Sequence, residues 1–189
     1  MFFIKNKITM QEIYVENIKE IIRAKTKLEK ELEIKLSNKG KNVFVEGPAD
    51  KEFIALEVLG AIKIGFSADR SLELKREEFM IQKLNIKNIT RRSDLIRIRA
   101  RIIGTNGKTL KTLKTLTKCD FAMNNNEIGI IGHVDEIEEA IQSVTSIIQG
   151  SKQGNVYSRL ERNKKKKKEF ELMNFRHRRK FSEKSSTPF

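Results

Sequence analysis

The sequence predicts a mixed α+β fold in which one small unit is built twice. Three observations carry that expectation. The stretches "NVFVEGPADKEFIALEVLGAIKIG" (42–65) and "EIGIIGHVDEIEEAIQSVTSIIQG" (127–150) align without a gap, every pair 85 residues apart. Self-similarity at a fixed spacing marks a duplicated unit. Within each copy, short alternating apolar runs give way to apolar residues three and four apart, the change from strand to helix period. Finally, the net charge of +14 is concentrated rather than spread. Residues 91–118 hold nine Lys/Arg against one acid (Asp94), residues 153–189 hold twelve against four, and the remainder sums to −2.

The elements follow in order. Strands are expected at Val43–Phe44–Val45 and Ile128–Gly129–Ile130, preceded by strands at Ile34/Leu36 and Phe121/Met123 across turns at Lys39–Gly40 and Asn124–Asn126. A helix follows each hairpin, with Asp50 or Asp135 in its first turn, where a carboxylate suits the helix dipole. Val134, Ile137, Ile141, Val144 and Ile148 mark one face of the second of these helices, and Gly65 and Gly150 read as C-terminal caps. "DLIRIRARII" (94–103) alternates like a strand but also permits a helix with Leu95, Ile98 and Ile102 inward. "FMIQKLNIKNI" (79–89) already offers a strand just before it, which favours the helix. "KTLKTLKTLTK" is a second amphipathic helix starting near Lys108, with Leu110, Leu113 and Leu116 as its apolar line. Each unit then reads strand, helix, helix, strand, strand, helix, a small sheet covered by helices on one face. Domain limits fall at 1–75, 76–152 and 153–189. In the last segment "VYSRLERNKKKKKEFEL" reads as an exposed helix docked by Tyr157 and Leu160, and "NFRHRRKFSEKSSTPF" as a disordered basic tail.

Composition excludes several classes. No apolar run is long enough to span a bilayer, and the N-terminal apolar stretch is too short for a signal peptide. A lone cysteine (Cys119) rules out an internal disulfide framework and fits a reducing cytoplasm. With two histidines and that cysteine, a structural zinc site has almost no ligands, and no cofactor motif is present. Metal-dependent phosphodiester cleavage needs clustered carboxylates, whereas the basic segment carries a single acid. We therefore expect a non-enzymatic protein. Two local basic surfaces on a near-neutral body imply a polyanionic partner, nucleic acid rather than membrane.

The stretch "ARIIGTNGKTLKTLKTLTKC" (100–119) is where that partner is expected. Gly104 and Gly107 clear a helix–helix turn of side chains, so backbone can press on a ligand. The next helix offers its free N–H groups and positive dipole end. Lys108, Lys111 and Lys114 add charge after the loop, and Arg97, Arg99 and Arg101 before it. Ile102, Ile103, Phe121 and Met123 offer apolar surface to unstacked bases. Of the remaining residues, His133 reads as a local helix cap, Cys119 (aligned with Ile34) as core, and Tyr157 as packing. The run Lys164–Lys168 reads as a generic electrostatic handle.

"IIGTNGKTLKTL" followed by hairpin and helix resembles a KH domain, whose GxxG loop clamps a short single strand. Together with "AIKIGFSADRSLEL", "RARIIGTNGKT", "IGIIGHVDEIEEAI" and "IIQGSKQGNVYSRLER", the chain resembles the two-KH-domain small-subunit ribosome-assembly proteins, the partner-of-Nob family and its KH-containing relatives in rRNA processing. The resemblance covers roughly residues 40–165. It implies tandem type I-like KH domains, the first degenerate, and RNA binding through Arg97, Arg99, Arg101, Ile103, Gly104, Thr105, Asn106, Gly107, Lys108, Lys111 and Lys114. Shifted by 85, the GTNG positions fall on Lys19–Glu20–Ile21–Ile22, so the first copy has no GxxG and is expected to serve as a docking or structural half. Many loops of this family carry a basic residue between the glycines, where this chain has Thr105 and Asn106. The implied partners are single-stranded rRNA near the 3′ end of the small subunit and a Nob-type endonuclease. The rRNA dimethylase and the alpha subunit of initiation factor two are implied as further partners, in a cytoplasmic setting. Two other roles share the pattern: an exosome or transcription-associated KH protein, and a permanent ribosomal protein.

Overall fold

Two-residue turns between short alternating strands make hairpins, and the duplicated sequence makes two of them. The computed structural model describes residues 9–16 and 18–184. Its first half runs β1 (Thr9–Tyr14), α1 (Lys19–Leu32), β2 (Lys35–Lys39), β3 (Asn42–Gly47) and α2 (Ala49–Ile64). Two short helical turns, α3 (Ala68–Ser71) and a 3-10 turn at Leu72–Lys75, connect the halves. The second half runs β4 (Phe79–Asn85), a single turn α4 (Ile86–Ile89), α5 (Leu95–Ile103), α6 (Lys108–Thr117), β5 (Asp120–Asn124), β6 (Glu127–His133) and α7 (Val134–Gln149), followed by the long α8 (Gln153–Lys184). Both sheets are antiparallel with the same order, β1-β3-β2 and β4-β6-β5. In the hairpin turns Gly40 (φ +63°) and Asn125 (φ +52°) take the left-handed conformation.

Where the 85-residue spacing holds, paired positions share their environment. Val43 and Ile128, Val45 and Ile130, Ala55 and Ala140, and Leu59 and Val144 are all buried. Gly65 and Gly150 both cap their helices at positive φ. His133 caps α7, its Nδ1 accepting from the Asp135 N–H at 3.3 Å.

The front of the first copy departs from expectation. Ile13 lies in β1, opposite Val43, whereas Ile98, its partner at a shift of 85, lies in helix α5. Pairing with the third strand puts Thr9 opposite Gly47 and Met80 opposite Gly132, a shift of 71. The 14-residue difference is a missing segment: α1 continues the place of α6, with Leu28 and Leu113 both fully buried, and none of the described residues of the first half occupies the place of α5. The first half is thus strand, helix, strand, strand, helix, one helix short of the expected unit. The C-terminal segment also differs. Helix α8 continues to Lys184, through residues 174–184 expected to be disordered, while 185–189 of that expectation lie outside the described residues. Residues 155–184 contain no glycine or proline and many Lys, Arg and Glu, all favourable in helices.

The two halves share a core. Helix α2 is apolar around its circumference, and a helix of that kind has to be covered on every side. One face packs on the first sheet. The other meets the back of the second sheet, where Ile131 joins the first half's core and Phe79, Ile81 and Ala122 pack against it. Strand β6 is consequently buried on both faces, with Ile128 and Ile130 toward the second core. Gly129 permits the approach: a Cβ there would lie 2.6 Å from Phe66 Cε2 and 3.1 Å from Ile64 Cγ2. Polar ties close the seam, with Asn124 Nδ2 donating to the Lys63 carbonyl at 3.1 Å and Arg70 bridging Glu73 and Asp120.

Cys119 is fully buried against Gly132, as Ile34 lies against Gly47 one repeat earlier. Burial pushes its thiol up to about 11 from an ordinary 9.0, against a weaker downward pull from its hydrogen bond with Thr117. The folded state therefore holds the thiol proton more tightly than the unfolded one. Its contribution is complete below about 9 and is lost as pH rises toward 11. Urea midpoints are expected to fall between pH ~8 and ~10.5 more steeply in the wild type than in Cys119→Ala, in addition to any fall the two share.

Candidate nucleic-acid interface

The loop is made where one helix ends at a glycine and the next begins after another. Asp94 starts α5, its carboxylate accepting from the Arg97 N–H at 3.2 Å. The helix stops at Gly104 (φ +71°, ψ 171°), whose N–H reaches Ala100 O at 2.8 Å. A single 3-10 turn follows, closed by Gly107 N–H to Gly104 O at 3.1 Å. Asn106 (φ 53°, ψ 31°) and Gly107 (φ 72°, ψ 15°) are consecutive left-handed residues, and α6 begins at Lys108. Thr105 and Asn106 stand exposed at the tip. The exposed turn thus leads directly into the positive end of a ten-residue helix.

The two glycines differ in their surroundings. Gly107 faces open space, whereas a Cβ on Gly104 would meet Thr109 N at 2.8 Å and Thr109 Cβ at 2.9 Å. Thr109 is buried and is held from the other side by Gln153. The Gln153 amide donates to Thr109 Oγ1 at 2.9 Å and to Arg101 O at 2.8 Å. The loop therefore leans on the first residue of α8. Neither Thr109 nor Gln153 was among the residues expected from sequence, although Gln153 lies inside the segment "IIQGSKQGNVYSRLER".

The structure sorts the expected residues onto two flanks. Arg97 and Arg101 are one helical turn apart and share a face of α5, whereas Arg99 points about 160° away from each of them at 3.6 residues per turn. Arg99 reaches the β5–β6 turn, donating to Asn126 Oδ1 at 3.4 Å. Ile103 (38% exposed) lies on that same side, and Phe121 and Met123 are half-buried on β5. Lys114 also faces β5, paired with Asp120, which Arg70 shares. On the opposite flank, Arg97 and Lys108 face the start of α8. Arg101 is committed to structure there, its guanidinium donating to Gly150 O at 3.1 Å and to Ser151 O. Lys111 points outward between the flanks. Arg97, Lys108 and Lys111 have no side-chain ion pair or hydrogen bond among the described residues. Ile102 is fully buried and offers no surface to a base, contrary to expectation.

Strand, helix, GxxG loop, helix, hairpin and helix define the second half as a KH domain, and residues 79–165 match the model for the second KH domain of PNO1, described as a eukaryotic type KH-domain (KH-domain type I). The second half thus matches the PNO1-type KH domain, and the chain is similar to rRNA-processing KH proteins. It is 27% identical over 157 residues to the KH domain-containing protein MJ0443 of Methanocaldococcus jannaschii, covering 78% of this chain and 69% of that one. It is 30% identical over 158 residues to the pre-rRNA-processing protein PNO1 of Debaryomyces hansenii, covering 80% of this chain and 59% of that one. The fold matches a chain in the a/eIF2alpha-aDim2p-rRNA complex from Pyrococcus horikoshii OT3 with a TM-score of 0.77, at 24% identity, over 86% of this chain and 97% of that one.

Proposed function

We propose that this chain is a non-enzymatic ribosome-assembly factor working in the cytoplasm. It holds single-stranded small-subunit pre-rRNA, near the 3′ end, on the loop of residues 76–152. The observation that carries this reading is the Gly104–Gly107 turn itself. Two glycines free of side chains flank its exposed tip, with two left-handed residues running into the N-terminus of α6 and, among the described residues, unpaired cations on its margins. Phosphate contacts supply affinity and position, and bases beside Ile103, Phe121 and Met123 supply choice.

Residues 1–75 act as a degenerate KH half that docks protein partners. The identical strand order and the single missing helix support its kinship with the second half. Residues 153–189 form a basic extension that adds general affinity for RNA. Partners in this reading are a Nob-type endonuclease, the rRNA dimethylase and the alpha subunit of initiation factor two. The neighbour of the same fold that stands in a complex with a/eIF2alpha and rRNA supports the last of these.

The test is salt-dependent binding to single-stranded RNA from the 3′ end of small-subunit rRNA. Thr105→Asp/Asn106→Asp is expected to weaken binding at least about tenfold, ~1.4 kcal/mol. The slope of log K against log salt is expected to fall by about 0.7 for each phosphate that the variant no longer engages. Wild-type binding by the double variant would remove the loop from the mechanism.

A further inference from the structure

Beside the loop, on the flank away from β5, lies a cleft of about 610 Å³ between α5, α6 and the start of α8. Arg97, Lys108, Thr112, Gln153 and Tyr157 line it, and it opens onto Gly104 and Thr105. A second depression of about 460 Å³ continues it along α5 past Arg92 and Ser93, sharing Arg97 and Arg101 with the first.

Charge separates this flank from the other. On the β5 side, Lys114 and Arg70 are both neutralised by Asp120, and the lining includes Asp69 and Glu73 as well. Among the described residues the cleft beside the loop is lined by no carboxylate, and its continuation along α5 by Asp94 alone. Arg97 and Lys108 remain unpaired there among the described residues, beside the Thr112 hydroxyl and the half-buried Tyr157 ring. A cationic rim with an aromatic wall suits a phosphodiester and its base together.

We propose that this cleft is a second RNA subsite, which takes the nucleotides continuing from the strand held on the loop. Arg97 and Lys108 receive a phosphate and Tyr157 stacks a base. The inference rests on the loop reading above. It makes the C-terminal helix part of the RNA-binding surface and lengthens the bound strand beyond the about four nucleotides that one GxxG loop clamps.

The test compares the full chain with Thr112→Glu and Tyr157→Leu, using single-stranded RNAs of about four and about ten nucleotides. Unchanged circular dichroism melting identifies the variants that remain folded. Tyr157→Leu keeps apolar bulk against the core, and Thr112→Glu keeps a helix-forming residue. The expected result is an about tenfold loss for the longer RNA, the size of one base–aromatic stack, with none for the shorter. Equal losses at both lengths, or no loss at either, would overturn the second subsite. Failure of the loop reading has its own signature, undiminished binding of the shorter RNA by Thr105→Asp/Asn106→Asp.

Discussion

Gly104→Ala is expected to destabilise the chain by about 3 kcal/mol, against about 1 kcal/mol for Gly107→Ala. Both glycines have positive φ, but for different reasons. At Gly107 the backbone is in the left-handed helical region, and a methyl group would point into open space. At Gly104 the pair φ +71°, ψ 171° lies where only glycine is comfortable. A methyl group there would also press on Thr109, at 2.8 Å from its backbone nitrogen. Backbone cannot yield as a flexible side-chain end does, so strain and overlap add. At roughly 2–4 °C per kcal/mol for a chain of this size, melting should fall by about 6–12 °C and about 2–4 °C respectively. RNA affinity should separate the two further, because displacing Thr109 also removes an acceptor from Gln153. Equal shifts for the two variants would mean that Thr109 moves aside freely and the buttress carries little.

Gly129→Val is the second substitution with a large expected effect. Valine suits a strand, so local propensity argues for gain rather than loss. The cost comes from across the seam, where Phe66 Cε2 and Ile64 Cγ2 lie 2.6 and 3.1 Å from the Cβ position. Overpacking of this kind costs about 3 kcal/mol. It also wedges the second sheet off α2, the helix through which both halves are stabilised. Calorimetry is expected to show one unfolding transition in the wild type and two in the variant. A single, unshifted transition in Gly129→Val would show that the shared core does not couple the halves.

Much of this architecture is legible in the residues. The repeat spacing brings paired core positions, both hairpins and both capping glycines into view, because burial forces apolar residues to recur at strand and helix periods. The front of the first copy is not legible in that way. A missing segment leaves no residues to align, and "EIYVENIKEII" can be read at either register. Sheet-on-helix packing between the halves is equally hidden, since its signal is a glycine in a strand, which could equally mark a bulge. At the loop, sequence finds the turn, the helix before it and its cations, but naming Arg97, Arg99 and Arg101 as one group overlooks that this helix sends Arg99 to the other side. Which cations are already used by Gly150, Asn126 or Asp120 depends on tertiary neighbours 27 or more residues away for the arginines and six for Lys114.

The Gln153 buttress has a consequence for the order in which the chain becomes competent. Ribosomes make proteins from the N-terminus, so the GxxG turn is polymerised 46 residues before the side chain that supports it. At about 5–20 residues per second, that is an interval of about 2–9 s. During it the nascent chain contains the turn without its prop. With rRNA as the proposed ligand, the protein would in this way keep its grip unfinished until synthesis has passed the second unit.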